Sequence, residues 1–184
     1  MVPEAPLAQT EYGLEPAGDG WFLMNARDAR WWYADGRSAI CDFEALSDVR
    51  QFGMNISVLE PGQSMGMYHW EADQEDFLVV AGEATLIVEE EERPLRQWDF
   101  VHCLPGTKHI IVGAGDAPCI VVAVGARAHE GTSGWGGYTV SEVARRHGVS
   151  VERETTEARE AYAHVTRRGP ARYREGWLTG SSRR

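Results

Sequence analysis

The stretch PGQSMGMYHWEADQEDFLVVAGE, Pro61 to Glu83, decides how this sequence folds. It opens on a Pro-Gly turn, and its apolar run DFLVVAG ends on Gly82 after too few residues for an ordinary helix. The same texture continues in both directions. FGMNISVL (52–59) precedes it, and ATLIVE (84–89), DFVHCL (99–104), HIIV (109–112) and CIVVAVG (119–125) follow. Turn residues separate them, among them Pro105-Gly106 and Gly113. Many short strands at regular spacing predict an all-β sandwich or barrel, and no helical pattern interrupts them to suggest a parallel α/β fold. The run EEEER (89–93) between two such strands predicts a solvated hairpin tip.

Strand side chains alternate between faces. Met65, Met67, His69 and Glu71 therefore share one side, with Tyr68 and Trp70 on the other as packing residues. Glu75, Phe77 and Val79 share a face of the next strand. If both faces look inward, His69, Glu71 and Glu75 converge, and His109, after the turn LPGTK, completes the cluster. Neutral imidazole and carboxylate are good ligands for iron, manganese, zinc or nickel, and a cation relieves the cost of burying a carboxylate. Ligands two apart on a strand are separated by roughly 6.6 Å of backbone, which side chains of this length can close around one ion. Met65, Met67, Phe77 and Val79 point with the ligands as walls of an apolar pocket. His102 and Cys103 are adjacent, so one of them faces inward; if it is Cys103, it lies near the metal.

Two motifs carry a resemblance to the cupin superfamily, in its small bacterial single-domain form. PGQSMGMYHWEADQEDFLVVAGE resembles the first cupin motif, with His69 at its first histidine, Glu75 at its glutamate and Gly82 at its closing glycine. WDFVHCLPGTKH (98–109) resembles the second, through Asp99, Gly106 and His109. The fifteen residues from Glu83 to Gln97 equal a short inter-motif spacing. The resemblance implies a double-stranded β-helix (jelly-roll barrel), a divalent metal (Fe, Mn or Zn) held by His69, Glu71, Glu75 and His109, and a homodimer. Departures from the motifs are also present. Glu71 stands at the second histidine, Trp98 at a glycine and Leu104 at a proline, and His69 lies one residue late after Gly62. Turn geometry should absorb all but the first. Glu71 adds a negative charge and hardens the site. It is a direct ligand, a partner orienting a histidine, or a general base beside an open metal position.

Bulk properties bound the rest. With 184 residues, 43% hydrophobic and 25% charged, one core with appended segments is expected. The expected division is an N-terminal extension (1–51) with early strands packing on the barrel, a β-barrel (52–126), and a C-terminal linker with short helices and a basic tail (127–184). The tryptophan-rich WFLMNARDARWWYA (21–34) supplies an early strand. HEGTSGWGG (129–137) reads as a Gly-rich connection, TVSEVARRHGVS (139–150) as a short helix started by Ser or Thr and stopped by Gly, and 155–165 as a second helix. The net charge of -10 and the acid-rich segment VERETTEARE argue against nucleic-acid binding. No apolar stretch is long enough to span a membrane and no secretory signal is present, which with three unpaired-looking cysteines predicts a cytoplasmic protein. The expected function is a metal-dependent enzyme on a small organic molecule, as a dioxygenase or as an isomerase or lyase. A non-catalytic small-molecule sensor is the alternative, and a DNA-binding regulator a more distant one.

Overall fold

The computed structural model describes residues 1–44, 51–166 and 168–178. A hairpin of β1 (Leu7–Thr10) and β2 (Gly13–Pro16) opens the chain, followed by β3 (Trp31–Tyr33), β4 (Ala39–Cys41) and β5 (Phe52–Leu59). Then come β6 (His69–Glu71), β7 (Glu75–Ala81), β8 (Glu83–Val88), β9 (Glu91–Arg96), β10 (Phe100–Cys103), β11 (His109–Ala114) and β12 (Cys119–Ala126). β13 (Gly136–Tyr138), the helices α1 (Glu142–Arg146) and α2 (Ala158–Ala161), and β14 (Gly169–Ala171) complete the described elements. The strands form a sheet in the order β10-β7-β12-β5-β4-β3-β14 and a second in the order β13-β6-β11-β8-β9. This is an all-β architecture of two facing antiparallel sheets, of the jelly-roll kind, with a small helical appendage.

The core lies between the two sheets. Leu59, Phe77, Val79, Val121 and Ala123 come from the larger sheet, and Ala84, Leu86 and Ile111 from the smaller. All are buried, each contributing roughly 1.5–3 kcal/mol if large and apolar. Period-two alternation explains the choice, because every second residue of β7 and β12 turns inward. Gly82, between β7 and β8, has φ +75, and a Cβ there would sit 2.5 Å from the Pro118 carbonyl oxygen. Glycine is therefore required at that motif position. Trp98 takes the same left-handed conformation, with φ +76, although it carries a side chain. Its N–H donates to the Val79 carbonyl at 2.8 Å, and the Asp99 carboxylate accepts from Arg96 N–H at 2.9 Å, so the turn is held from both sides.

The flanking segments do more than decorate this barrel. β3, within the tryptophan-rich segment 21–34, does not merely pack on the barrel: it extends the larger sheet through β4, which pairs with β5. The Trp31 side chain still turns onto the sheet's outer face, where it is fully buried with Val58, Ile120 and Trp177. β14 pairs with β3, and the Gly-rich connection supplies β13, which pairs with β6. Arg167 and residues 179–184 of the basic tail lie outside the described residues. α1 starts at Ser141, whose Oγ accepts from Ala144 N–H at 2.9 Å, and ends before Gly148 at φ +68. Ala144 and Val149 cover Tyr68, Ile87, Ile110 and Val112 on the outer face of the smaller sheet. The second helix is a single turn, and its Glu157 cap makes no side-chain hydrogen bond.

The acidic run divides. Glu89 and Glu90 form the tip with positive φ, while Glu91, Glu92 and Arg93 belong to β9. The tip is also engaged with its surroundings. Glu90 accepts from Ser141 Oγ at 3.0 Å, Glu89 from Lys108 N–H at 2.7 Å, and Glu92 pairs with Arg146 at 3.1 Å. No helix among the described residues is long and apolar enough to cross a membrane.

Candidate metal centre

Pairing within the smaller sheet sets His69 directly opposite His109, with ring centroids 4.9 Å apart. Glu75 begins β7 in the facing sheet, opposite Gly125, and reaches across the gap. Its Oε2 lies 3.3 Å from His109 Nε2 and 3.9 Å from His69 Nε2. The three ligand atoms fall within 4.8 Å of one another. Bonds of ~2.1 Å from one ion at angles of 90–110° place ligand atoms ~3.0–3.4 Å apart, so the cluster needs little movement to close. Glu71 Oε1 lies 3.9 Å from His69 Nε2, outside that mutual cluster but beside it.

Hydrogen bonding prepares both imidazoles as ligands. His69 Nδ1 bonds the Met67 carbonyl at 2.8 Å and His109 Nδ1 bonds the Thr107 carbonyl at 3.0 Å. A carbonyl only accepts, so each Nδ1 carries the hydrogen and each Nε2 presents its lone pair in the neutral ring. His109 Nε2 and Glu75 Oε2 are buried and have no hydrogen-bond partner of proper geometry. With both rings neutral, two lone pairs and a carboxylate oxygen face one point, and a positive charge there, a metal ion or a proton on His109 Nε2, relieves their repulsion. The titration tendencies express the same demand. Burial, then the neighbouring His109, pushes His69 down. Burial also opposes charge on His109, but Cys103 and Glu75 overcome it and raise the imidazole to about 10. Burial opposes ionisation of Glu75 too, and the two histidines still hold it below the usual carboxylate range. Glu71, less favoured, is pushed up to about 7 by burial and by the charge of Glu75.

A cavity of about 410 Å³ opens on this cluster, lined by His69, Glu71, Glu75 and His109. Of the expected apolar walls, Met65 and Phe77 line it. Met67 does not, because residues 65–68 bend after the bridge at Ser64 and the strand begins only at His69, which breaks the assumed alternation. It packs outside the barrel against Val151 and Ala161. Val79 lies one inward position deeper and belongs to the core. Cys103 faces inward and borders His109, yet it is packed into the core, while His102 points out and bonds Asp76 at 2.6 Å. Tyr68 is fully buried behind the smaller sheet, whereas Trp70 lines the cavity. Trp135 also reaches it; Arg127 is engaged by Glu44 at 2.8 Å.

Several cavity residues escaped the sequence argument. Asn55 and Ser57 of β5 face inward and were detectable as a polar pair at alternate positions of an otherwise apolar strand. Tyr138 and Tyr162 come from the C-terminal segment. Tyr138 stands 6.1 Å from the His69 ring, and Tyr162 accepts from Met67 N–H at 3.2 Å. No local pattern marks them.

Residues 55–125 match the family described as the cupin domain. No curated protein matches the chain. Among solved structures, the chain is similar to a putative sugar phosphate isomerase from Acidithiobacillus ferrooxidans, with 24% identity over 49% of this chain and 59% of that one, TM-score 0.45. It is similar to a sugar phosphate isomerase of the cupin superfamily from Silicibacter pomeroyi, with 27% identity over 56% of this chain and 62% of that one, TM-score 0.45. It also resembles a Cupin 2 conserved barrel domain protein from Salinispora arenicola, with 23% identity, 62% and 85% coverage and TM-score 0.46. The chain spans 59% and 62% of the lengths of the two isomerase structures.

Proposed function

We propose that this chain, which carries a cupin domain over residues 55–125, is a metal-dependent enzyme acting on a small organic molecule in the cavity above His69, Glu75 and His109. One observation carries the reading: His109 Nε2 and Glu75 Oε2 are buried, 3.3 Å apart and without hydrogen-bond partners, beside a His69 whose Nε2 is equally free to coordinate. Two imidazoles and one carboxylate suit iron(II), manganese or zinc and leave coordination positions open. Such an ion supplies Lewis-acid polarisation of a substrate oxygen, or access to oxygen chemistry if it is iron. The protein's own residues do the rest. Thr107 and Met67 carbonyls fix the imidazole orientations. Glu71 borders the open side of the cluster and is assigned to proton transfer with the bound molecule. Phe77, Met65 and Trp135 limit water on the apolar walls.

Metal analysis of protein purified without chelator tests the reading. About one divalent ion per chain is expected, lost in Glu75→Gln and His109→Ala. Turnover or oxygen uptake that disappears in the same variants identifies an enzyme. Thermal stabilisation by ligands without turnover would instead identify a sensor, and absence of stoichiometric metal would remove the centre altogether.

We also infer a homodimer formed through the uncovered end of the larger sheet's outer face. Phe52, Met54 and Phe100 are 56%, 45% and 63% exposed there, on strands β5 and β10, and β10 is a free sheet edge.

A further inference from the structure

A second cavity, of about 540 Å³, adjoins the first, and Ile40, Met65, Tyr138, Ala158 and Tyr162 line both. Its character is different. Arg37 and Arg168 line it, with Trp32 and Tyr33, in a protein whose net charge is -10. Among the described residues, neither arginine has a carboxylate in ion-pair contact. The one acid lining the cavity, Asp42, is engaged by Arg30 at 3.3 Å and by Trp32 Nε1 at 2.9 Å.

Arg37 is the informative residue. Its guanidinium donates to Ser64 Oγ at 3.1 Å, the Gly36 carbonyl at 3.3 Å and Met67 Sδ at 2.9 Å, and stands 3.1 Å from His164 Nε2. All these neighbours are formally neutral acceptors, and Nε is buried with no partner. A half-buried cation with soft and neutral partners, one donor unused and no counter-ion is an expensive arrangement for a structural arginine. Burial accordingly depresses its basicity. An oxyanion is what this environment lacks, and the planar fork of a guanidinium suits carboxylate or phosphate.

We propose that the second cavity binds the carboxylate or phosphate group of the molecule that reacts at His69, Glu75 and His109, with Arg37 holding it and Arg168 at the exposed rim. The substrate class is therefore a small organic anion, extended enough to pass Met65 and Tyr162 between the two cavities. Assignment of the anion to the reacting molecule rests on the metal-site reading; anion binding by Arg37 does not.

The test is titration of the full-length protein with inorganic phosphate and, separately, with acetate, at constant ionic strength, followed by tryptophan fluorescence and thermal shift. It is run on metal-loaded protein and again after chelation. Saturable binding of at least one of the two anions is expected. Arg37→Gln should weaken it at least tenfold, Arg37→Lys should restore only part, and Arg168→Gln should weaken it a few fold. Metal content should stay unchanged in all three. Persistence of the arginine-dependent binding after chelation supports the anion site even if the metal reading fails. No saturable binding of either anion by the wild-type protein would overturn the proposal. So would unaltered binding by Arg37→Gln and Arg168→Gln variants that melt as the wild type does.

Discussion

Within the inward face of β7 the barrel changes character over four residues. Glu75 opens the strand among two histidines at the mouth of a cavity, and Val79 lies at 0% exposure among Leu59, Leu86 and Val121. The closed half is filled by aliphatic side chains from both sheets. The open half keeps polar groups and a cavity. Rigidity and chemistry are thus separated along the same strands: the packed end fixes the backbone from which the reactive end projects. Buried polar atoms without partners are tolerated at the mouth because a ligand can complete them, a role that no aliphatic contact can take.

The packed end should respond most strongly to substitution. Leu59→Ala should cost about 2–5 kcal/mol of unfolding free energy, because a fully buried leucine leaves a cavity between closely packed strands. Chemical denaturation measures it. Glu75→Gln, measured on chelated protein, should cost clearly less while abolishing the stabilisation that added metal gives the wild type. A greater cost for Glu75→Gln than for Leu59→Ala would show that stability resides at the mouth instead.

A second contrast lies on the outer face of the larger sheet. One end, around Val58 and Ile120, is covered by Trp31 and Trp177, while Phe52, Met54 and Phe100 at the other remain exposed. If a second copy covers the exposed end, Phe100→Asp should weaken self-association by at least tenfold, about 1.4 kcal/mol, with the melting of the isolated chain little changed. Analytical ultracentrifugation over a concentration series reads this; a monomeric wild type would rule out the dimer.

A smaller change is expected at the turn before β10. Trp98 holds φ +76 and is 67% exposed, so its side chain offers little packing in return for the strained backbone. Trp98→Gly should raise stability by up to about 1 kcal/mol. An equal loss would mean that the exposed indole contacts something that the turn geometry does not reveal, such as the second copy.

Much of the fold was legible in the sequence because it is written locally. Short apolar runs with turn residues between them specify strands from Phe52 to Ala126, and Ser141 with Gly148 marks α1. Glu75 and His109 were legible as a pair through their places in two motifs. Legibility stopped where alternation was assumed across a bend. Alternation back from His69 places Met67 with the ligands, but the bends of 65–68 send it to the opposite side of the wall. The short segments 136–138 and 169–171 carry no strand signal of their own, since their pairing partners are distant in sequence.

Turn chemistry and period-two patterning act over a few residues, so a β-rich barrel and a compact set of residue types suited to a metal are written in the chain itself. Folding in three dimensions sets His69 opposite His109, brings Tyr138 and Tyr162 to the cavity wall, and turns Arg37 into a second cavity without an acid partner among the described residues. Each of those depends on contacts between segments tens of residues apart. Their geometry is set by sheet register and packing, which no local pattern encodes.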